Sequence, residues 1–432
     1  MTGSAAAPVS RQLCPRCGKE LPLSFAKSSC PACGGLLEVR HAAPGRRGLE
    51  LRRLFGDRRG SGELLDASGV WRYRELVLPD AGRDVVTHPE GNTPLLRLPR
   101  VSSWAGSPEL LVKHEGHNPT GSFKDRGMTV GATVAKRLGA RAVACASTGN
   151  TSASLAAYAA LAEIPALVFV PAGRVAAGKL AQTLAYGAKT LLVRGDFDAC
   201  FALALEASEK LNVYLLNSVN PFRLEGQKTI VFEALEQLGW EAPEWIALPA
   251  GNLGNTSAFG NALRDARDLG LISRVPRLAA VQAEGANPFA RAFREGFARR
   301  HRVSAETAAT AIRIGDPASH DRAVTAIRST NGVVTDVTDD EILEAKAIID
   351  GSGAGCEPAS AASVAGVKRL VREGVIRPGE RVVAVLTGHV LKDPGILLRY
   401  HMETEPPPPR ANRPVEIEPR LSAVEQVLRE DR

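Results

Sequence analysis

A lysine at the predicted start of a helix is the first residue of the chain whose surroundings suggest chemistry. Lys124 lies in the segment Asn-Pro-Thr-Gly-Ser-Phe-Lys-Asp-Arg over residues 118–126, between a predicted strand and a predicted helix. Its amine is a nucleophile that can form an imine with an aldehyde and afterwards carry a proton. Taken alone, the same pattern also fits a surface lysine that follows a helix cap.

A second junction of strand, loop and helix lies at residues 145–154 and is rich in hydroxyl and amide side chains. Ser147, Thr148, Asn150 and Thr151 surround Gly149, directly after a predicted strand. Backbone N–H groups at the start of a helix favour an anion. The junction therefore predicts an anion site, and a Ser/Thr-rich helix cap is the alternative.

A glycine-rich turn follows the predicted strand Trp245–Leu248 and contains Gly251, Asn252, Leu253, Gly254 and Asn255. Such a turn directs several backbone donors at one point, which suits a phosphate group. No Gly-Lys-Ser/Thr follows, and the glycine spacing is not that of a dinucleotide-binding loop.

Two further polar groups follow predicted strands. Asn217, Ser218 and Arg223 come after the strand Val213–Leu216, and Thr387 comes directly after the strand Val382–Leu386. Amides, a hydroxyl and a guanidinium together suit a phosphate better than a plain loop requires. A loop that caps the next helix is the alternative for the first group.

Four of the seven cysteines form two C-x-x-C pairs near the N-terminus, which are Cys14, Cys17, Cys30 and Cys33. Four thiolates at this spacing predict a tetrahedral structural zinc site, with each pair followed by a glycine. Two reduced turns or a redox pair are the alternatives. A nucleic-acid role is not expected, because the module lacks a dense basic and aromatic face.

The composition is that of a soluble globular protein. The chain has 432 residues, of which 44% are hydrophobic, and its net charge is 54 − 47 = +7. No apolar run is long enough to cross a membrane. The N-terminus lacks the basic and apolar regions of a secretory signal, and the odd cysteine count does not indicate disulfides. These features predict a cytoplasmic protein.

Short apolar strands alternate with amphipathic helices from about residue 90 to residue 394, which predicts parallel sheets covered by helices on both faces. Residues 41–62, rich in Arg and Gly, are interpreted as a connector, and a proline run at residues 406–409 as a linker. The predicted organisation is a zinc-ribbon-like module over residues 1–45, a large domain over 46–130 and 235–400, a small α/β domain over 131–234, and a Pro-rich tail over 401–432.

The lysine segment resembles the cofactor-lysine motif of fold-type-II pyridoxal-phosphate enzymes, the tryptophan synthase beta-like superfamily, and most closely that of the threonine synthase family. Residues 310–319 and 355–360 are also similar to that family. The resemblance runs from about Pro89 to Pro394 and implies a two-domain α/β fold. The tail beyond residue 403 and the connector depart from it.

The resemblance implies a role for each of the polar groups above. Lys124 would hold pyridoxal 5'-phosphate as a Schiff base and act as the catalytic base, with Phe123 beside the cofactor. Asn150 would bind the ring oxygen, Thr387 would face the ring nitrogen, and residues 251–255 would bind the cofactor phosphate. The substrate carboxylate would be bound by Ser147, Thr148 and Thr151. The substrate phosphate would be bound by Asn217, Ser218 and Arg223. Asn252 would contact both cofactor and substrate.

The implied reaction converts O-phospho-L-homoserine and water to L-threonine and phosphate, by γ-elimination followed by hydration at Cβ. Two alternatives stay open at this point. The first is a related lyase or synthase that uses O-phosphoserine or a plain β-hydroxy amino acid. The second is a zinc-ribbon regulatory or nucleic-acid-binding protein on an inactive scaffold. The resemblance also implies a homodimer that acts on a small phosphorylated amino acid, without nucleic-acid or membrane partners.

Overall fold

The computed structural model of the protein describes residues 10–173 and 177–430. Residues 1–9 of the predicted zinc-ribbon-like module lie outside this range. The described residues up to Lys392 form one compact unit, and those from Asp393 onwards form a second one. Among the described residues, no helix has the length and apolar character needed to cross a bilayer.

The described strands are short, and five of them are buried at every residue. In chain order they are β1 Ser10–Leu13, β2 Glu20–Leu21, β3 Glu38–His41, β4 Leu95–Arg97, β5 Leu110–His114, β6 Ala142–Ala146, β7 Ala166–Pro171, β8 Lys189–Val193, β9 Val213–Leu215, β10 Trp245–Pro249, β11 Arg277–Ala283, β12 Val333–Val337 and β13 Val382–Leu386.

The α-helices mostly follow the strands one by one. They are α1 Gly48–Arg59, α2 Leu64–Ala67, α3 Arg74–Val77, α4 Pro99–Ala105, α5 Lys124–Arg137, α6 Asn150–Ala162, α7 Ala177–Ala185, α8 Phe197–Lys210, α9 Pro221–Gln237, α10 Gly254–Asp268, α11 Pro288–Arg294, α12 His320–Ser329, α13 Asp339–Asp350, α14 Pro358–Arg372, α15 Pro394–Leu398 and α16 Leu421–Glu430.

The largest sheet has six strands in the order β12-β11-β10-β13-β5-β4. All neighbours in it are parallel except β4, which pairs antiparallel with β5 at the edge. Buried parallel strands need side chains that are apolar on both faces. The run Val-Val-Ala-Val-Leu of β13 meets that need, and all five of its residues are buried.

A second sheet has four parallel strands in the order β8-β7-β6-β9, all drawn from residues 142–215. Together the two sheets confirm the predicted α/β class with parallel sheets and flanking helices. They draw on the stretches assigned to the large and the small domain, and the domain boundaries themselves stay a prediction.

The cysteine module forms a small antiparallel sheet in the order β2-β1-β3. The interpretation of residues 41–62 as a plain connector is wrong, because α1 covers most of that stretch. Leu51 and Phe55 on one face of α1 are buried in the main core. The sparse apolar spacing among many arginines hid this helix.

Candidate active site

Lys124 is the first residue of α5, and its amine is partly buried. Its Nζ lies 4.1 Å from the centre of the Phe123 ring. Burial and then the positive charge of Arg223 lower the pKa of Lys124, the charge of Glu357 opposes both, and the net value is about 7. A lysine with such a pKa is largely a neutral nucleophile at physiological pH, which an ordinary surface lysine is not.

The turn that carries the lysine is tied to the end of β13. Phe123 N donates to the Thr387 carbonyl at 3.0 Å, and His389 N donates to the Gly121 carbonyl at 2.8 Å. The left-handed φ of Gly121, 84°, allows the sharp turn between these two contacts. The structure thus places Thr387 beside Lys124, as the sequence predicts for two contacts of one cofactor.

Thr387 is buried, and its hydroxyl belongs to a small hydrogen-bonded group. Its Oγ1 lies 3.0 Å from Ser360 Oγ and 3.4 Å from Glu357 Oε1. A hydroxyl can both donate and accept, so Thr387 can turn toward a ring nitrogen without a change of charge.

The predicted anion loop lies at the start of α6, whose first residue is Asn150. No side chain caps this helix, so its first N–H groups are available to a ligand. Ser147 Oγ accepts from Gly149 N at 3.3 Å and shapes the loop. Thr148 and Thr151 are half-buried on either side.

Glu357 is a member of the site for which the sequence suggested no role. Its carboxylate accepts from Asn150 Nδ2 at 2.9 Å and 3.1 Å, and it also lies within reach of Thr387. It therefore joins the two residues predicted to contact the ring oxygen and the ring nitrogen of the cofactor. The similarity of residues 355–360 to the family was the only signal that could have found it.

The glycine-rich turn leads into α10, which begins at Gly254. Leu253 has a left-handed φ of 63°, and no side chain caps the helix. Asn255 Oδ1 and Thr256 Oγ1 are buried without a hydrogen-bond partner among the described residues. Open N–H groups beside a hydroxyl and a rotatable amide suit a phosphate, because a buried polar group without a partner is costly.

Gly251 and Asn252 complete this turn. A Cβ on Gly251 would lie 3.0 Å from the Ile312 Cα, so a larger residue would press on that segment. Asn252 donates to the Ser218 hydroxyl and accepts from Ala318 N at 2.6 Å. Asn252 thus connects the cofactor-phosphate turn to the predicted substrate loop.

Asn217 and Arg223 differ in how much of their polar surface is already used. The Asn217 amide exchanges two hydrogen bonds of 3.1 Å with the Ala146 backbone, which joins its loop to the end of β6. Arg223 is fully buried and donates to the Leu216 carbonyl at 2.9 Å. Its Nε and Nη2 have no partner within the described parts of the chain.

The residues around Lys124 fit pyridoxal phosphate. A largely neutral lysine, an open helix start with unpartnered polar atoms, and a buried hydroxyl next to the lysine correspond to the aldehyde, phosphate and ring of that molecule. Arg223 offers a second place for an anion, since an unpaired buried guanidinium is otherwise costly.

The four N-terminal cysteines lie together. Their sulfur atoms are all within 4.8 Å of one another, with Cys14 and Cys33 3.5 Å apart and Cys17 and Cys30 3.7 Å apart. Gly18 and Gly34 take left-handed φ values of 73° and 70°, which lets each pair turn around a common centre. This donor set and spacing fit a tetrahedral metal.

Comparison with known proteins defines the class first. Residues 86–388 match the family described as pyridoxal-phosphate dependent enzyme, and the chain belongs to that family. Within it, the chain belongs to the threonine synthases. Threonine synthase of Methanosarcina acetivorans is 46% identical over 383 residues, 88% of this chain and 92% of the relative. That of Methanocaldococcus jannaschii is 42% identical over 424 residues, 97% and 99% of the two chains.

A solved structure supports the fold. Threonine synthase from Escherichia coli covers 98% of this chain and 100% of its own, with a TM-score of 0.68 and 20% sequence identity. At this identity the likeness concerns the fold alone, and the similarity to the curated relatives establishes the family.

Proposed function

We propose that this protein converts O-phospho-L-homoserine and water to L-threonine and phosphate, with pyridoxal phosphate bound to Lys124. The buried guanidinium of Arg223 carries the proposal, because two of its nitrogens lack a partner within the described chain and its charge acts on Lys124. A phosphorylated amino acid supplies the anion that this arginine needs.

Different residues of the chain bind the two ends of the substrate. The start of α6, with Ser147, Thr148 and Thr151, binds the α-carboxylate, and Arg223 with Ser218 binds the phosphate. Holding both ends fixes the orientation of the Cα–H bond relative to Lys124. Asn217 positions this loop through Ala146, and its role as a direct substrate contact stays a prediction.

Lys124 is the proton carrier of the site. Bound pyridoxal phosphate supplies the electron sink that makes Cα–H acidic. The Lys124 amine takes the Cα proton, a Cβ proton is lost, and the C–O bond to the γ-phosphate breaks with its electron pair on phosphate. Cγ then gains a proton, water adds its hydroxyl to Cβ, and a proton returns to Cα, which balances substrate plus water against threonine plus phosphate.

Product analysis tests this function. The purified protein is incubated separately with O-phospho-L-homoserine and O-phospho-L-serine, and released phosphate and amino-acid products are measured. We expect equal amounts of phosphate and threonine from the first substrate. Activity confined to O-phospho-L-serine would replace the proposal with the related synthase, and a protein without a cofactor absorbance band would indicate an inactive scaffold.

We also infer that Cys14, Cys17, Cys30 and Cys33 hold a structural zinc ion. Four sulfur donors within 4.8 Å support this, and they leave no open position for water at the metal. The expected content is one zinc per chain by elemental analysis. Replacing Cys30 with Ser should remove it, whereas the same change at Cys200, buried elsewhere, should not.

The oligomeric state and the cellular location complete the proposal. A homodimer is supported by the exposed edge strand β8, where Leu192 is 64% accessible to solvent. A cytoplasmic location is supported by the seven cysteines, all of them within the described residues and none in a disulfide, since this suits a reducing compartment. Light scattering of the purified protein tests the first, and fractionation of the source cells tests the second.

A further inference from the structure

The cysteine module contacts helix α9 through β3, the last of its three strands in chain order. His41 ends this strand, and its Nε2 lies 2.9 Å from Glu225 Oε2 on α9. Ser10 Oγ lies 2.9 Å from the other ring nitrogen, Nδ1, and so holds the imidazole from within the module. Both side chains of the His41–Glu225 contact are almost fully buried, at 9% and 3% exposure.

Glu225 lies two residues after Arg223, in the first turns of α9. The side of α9 that carries Arg223 and Gly226 packs directly on α5, because a Cβ on Gly226 would come within 1.7 Å of the Arg126 carbonyl and one on Gly127 within 3.2 Å of the Arg223 Cβ. The position of Arg223 is therefore fixed from two sides, by α5 and by the module. Lys228 extends the contact, since its Nζ donates to Glu225 at 2.5 Å and to Asp265 on α10 at 2.9 Å.

A second contact comes from Arg322 on α12. Its guanidinium donates to the Leu37 carbonyl, and Leu37 packs with Cys14 and Cys30 in the core of the module. Arg322 is 6% exposed, and its Nε and Nη1 have no hydrogen-bond partner among the described residues. The groups whose negative charge acts on Arg322 are Glu38, Cys14 and Glu225, so a metal-bound thiolate at Cys14 would add to the balance of this buried cation.

The start of α12 also reaches the active site. Ala318 N and Ser319 N, directly before the helix, donate to Asn252 at 2.6 Å and 3.4 Å. Asn252 in turn donates to Ser218. Arg322 thus connects the module through α12 to Asn252, and His41 connects it through α9 to Arg223.

We infer that the cysteine module positions the substrate-phosphate site, and that His41 and Arg322 are the positioning residues that transmit this. The inference rests on the proposed function, in which Arg223 and Ser218 bind the phosphate. Neither residue touches substrate or cofactor. The metal fixes the module, the module fixes α9 and the start of α12, and these present Arg223 and Asn252.

Four variants of the full-length, cofactor-loaded protein test the inference. His41→Asn is too short to reach Glu225, and Arg322→Met keeps the length of the side chain without its charge. His41→Gln and Arg322→Lys restore a donor at similar reach. Arg11→Gln in the module and Arg328→Gln on α12 are matched controls, because Arg11 pairs with exposed Glu20 and Arg328 donates to the exposed Gly296 carbonyl.

The measurements are the KM for O-phospho-L-homoserine, the dissociation constant of inorganic phosphate from the fluorescence of the bound cofactor, the visible cofactor band and the zinc content. Losing one charge-assisted bond should raise KM and the phosphate constant about tenfold in His41→Asn and Arg322→Met. We expect kcat within a factor of two, an unchanged cofactor band, partial rescue by His41→Gln and Arg322→Lys, and no effect of the two controls.

A phosphate constant within a factor of two of wild type in both variants, with a lowered melting temperature, would overturn the inference, since the contacts would then only stabilise the fold. If a variant loses its cofactor, the phosphate constant is measured instead on wild-type protein from which a chelator has removed zinc. An unchanged constant in that protein would also overturn the inference. A wild-type protein that binds phosphate but makes no threonine would overturn the proposed function alone, because the phosphate constant does not depend on turnover.

Discussion

Lys124 and Arg223 are basic groups close enough for the charge of Arg223 to act on Lys124, and they differ in charge near neutral pH. Burial and the neighbouring guanidinium lower the pKa of Lys124 to about 7, whereas the pKa of Arg223 falls only to about 10. At physiological pH the arginine therefore stays charged, and a large part of the lysine is neutral. One residue can bind an anion while the other acts as nucleophile and base.

The pKa of Lys124 predicts how cofactor capture depends on pH. Only the neutral amine attacks an aldehyde, so the rate at which apo-protein gains its visible band should rise about tenfold per pH unit below 7 and level off above about 7. Stopped-flow absorbance measures this rate. Free Nα-acetyl-lysine is the control, since its amine titrates near 10.5, and a protein rate that still climbs between pH 8 and pH 10 would contradict the prediction.

Arg223→Met tests the phosphate contact. Two unpartnered guanidinium nitrogens would be lost to the ligand, so KM for O-phospho-L-homoserine should rise about 30- to 100-fold, as expected for losing hydrogen bonds to a charged group. The pKa of Lys124 should rise as well, because a neighbouring positive charge is removed. Steady-state kinetics check the first effect and the pH profile of cofactor capture the second.

Arg264→Met is the matched control for that change. Arg264 bonds Asn261 and Asp265 on the later turns of α10. A KM raised equally in both variants would point to general loss of structure, and a KM near wild type in Arg223→Met would remove Arg223 from the substrate site.

Glu357→Gln should lower kcat/KM about tenfold and shift the visible cofactor band. The carboxylate accepts two bonds from the Asn150 amide, and a glutamine offers one neutral acceptor instead, so the orientation of Asn150 is held less firmly. Glu380→Gln is the control, because Glu380 accepts from Trp245 Nε1 before β13 begins. An unshifted band with normal kinetics would show that Asn150 needs no carboxylate partner.

At this scale, side chains that follow strand ends could be predicted from the sequence, and their partners could not. Lys124 and Thr387 follow β5 and β13, which are neighbours in the six-stranded sheet, so sheet geometry brings them to one edge. Asn150 follows β6 of the other sheet, directly after an apolar run. Glu357 precedes a helix far along the chain, and only the folded structure brings it to Asn150. Likewise, nothing in the sequence indicated that the Asn217 amide is used by Ala146.

Among the elements, α6 is held by two buried carboxylates from outside its own sheet. Ser154 donates to Asp125 at 2.6 Å, and Tyr158, one turn later, donates to Glu90 at 2.7 Å. Asp125 directly follows Lys124 and also accepts from Thr120. The helix that begins at the predicted anion loop is thereby fixed to the segment that carries the lysine.

Ser154→Ala should lower the free energy of unfolding by about 1–3 kcal/mol, because it leaves a buried carboxylate one donor short. It should also raise KM, since the start of α6 is positioned less well. Urea unfolding and kinetics measure the two effects. Ser363→Ala is the control, because the Ser363 hydroxyl donates to a carbonyl of its own helix. An equal loss of unfolding free energy in both variants would show that the Ser154–Asp125 bond does not support α6 specifically.

Strands that consist of a continuous apolar run could be predicted from the sequence, and short or mixed-polarity strands could not. The predicted strands Val213–Leu216, Trp245–Leu248 and Val382–Leu386 all exist, with ends that differ by at most one residue. Three-residue β4 at a sheet edge and mixed-polarity β12, Val-Val-Thr-Asp-Val, escaped notice because neither presents a continuous apolar run. The strands of the cysteine module are short, and the cysteine-bearing turns lie between them, so no apolar pattern marks them.

At the scale of the whole molecule, the cysteine module has too small a core to hold its shape by packing alone. Its buried apolar cluster consists of Cys14, Cys30 and Leu37. With the proposed zinc bound, metal binding supplies much of the folding energy of such a module. Treatment with a zinc chelator should therefore lower the melting temperature, and returning zinc should restore it. An unchanged calorimetric profile after verified zinc removal would contradict this.

The strand order of the six-stranded sheet has a consequence for how the protein is made. β13 lies between β5 and β10, yet it is the last strand of that sheet to leave the ribosome. The four-stranded sheet comes from one continuous stretch and can form early. Until β13 arrives, β5 and β10 present open edges to the surroundings, and such edges invite aggregation. We expect nascent chains that stop short of residue 382 to depend on chaperones for their solubility.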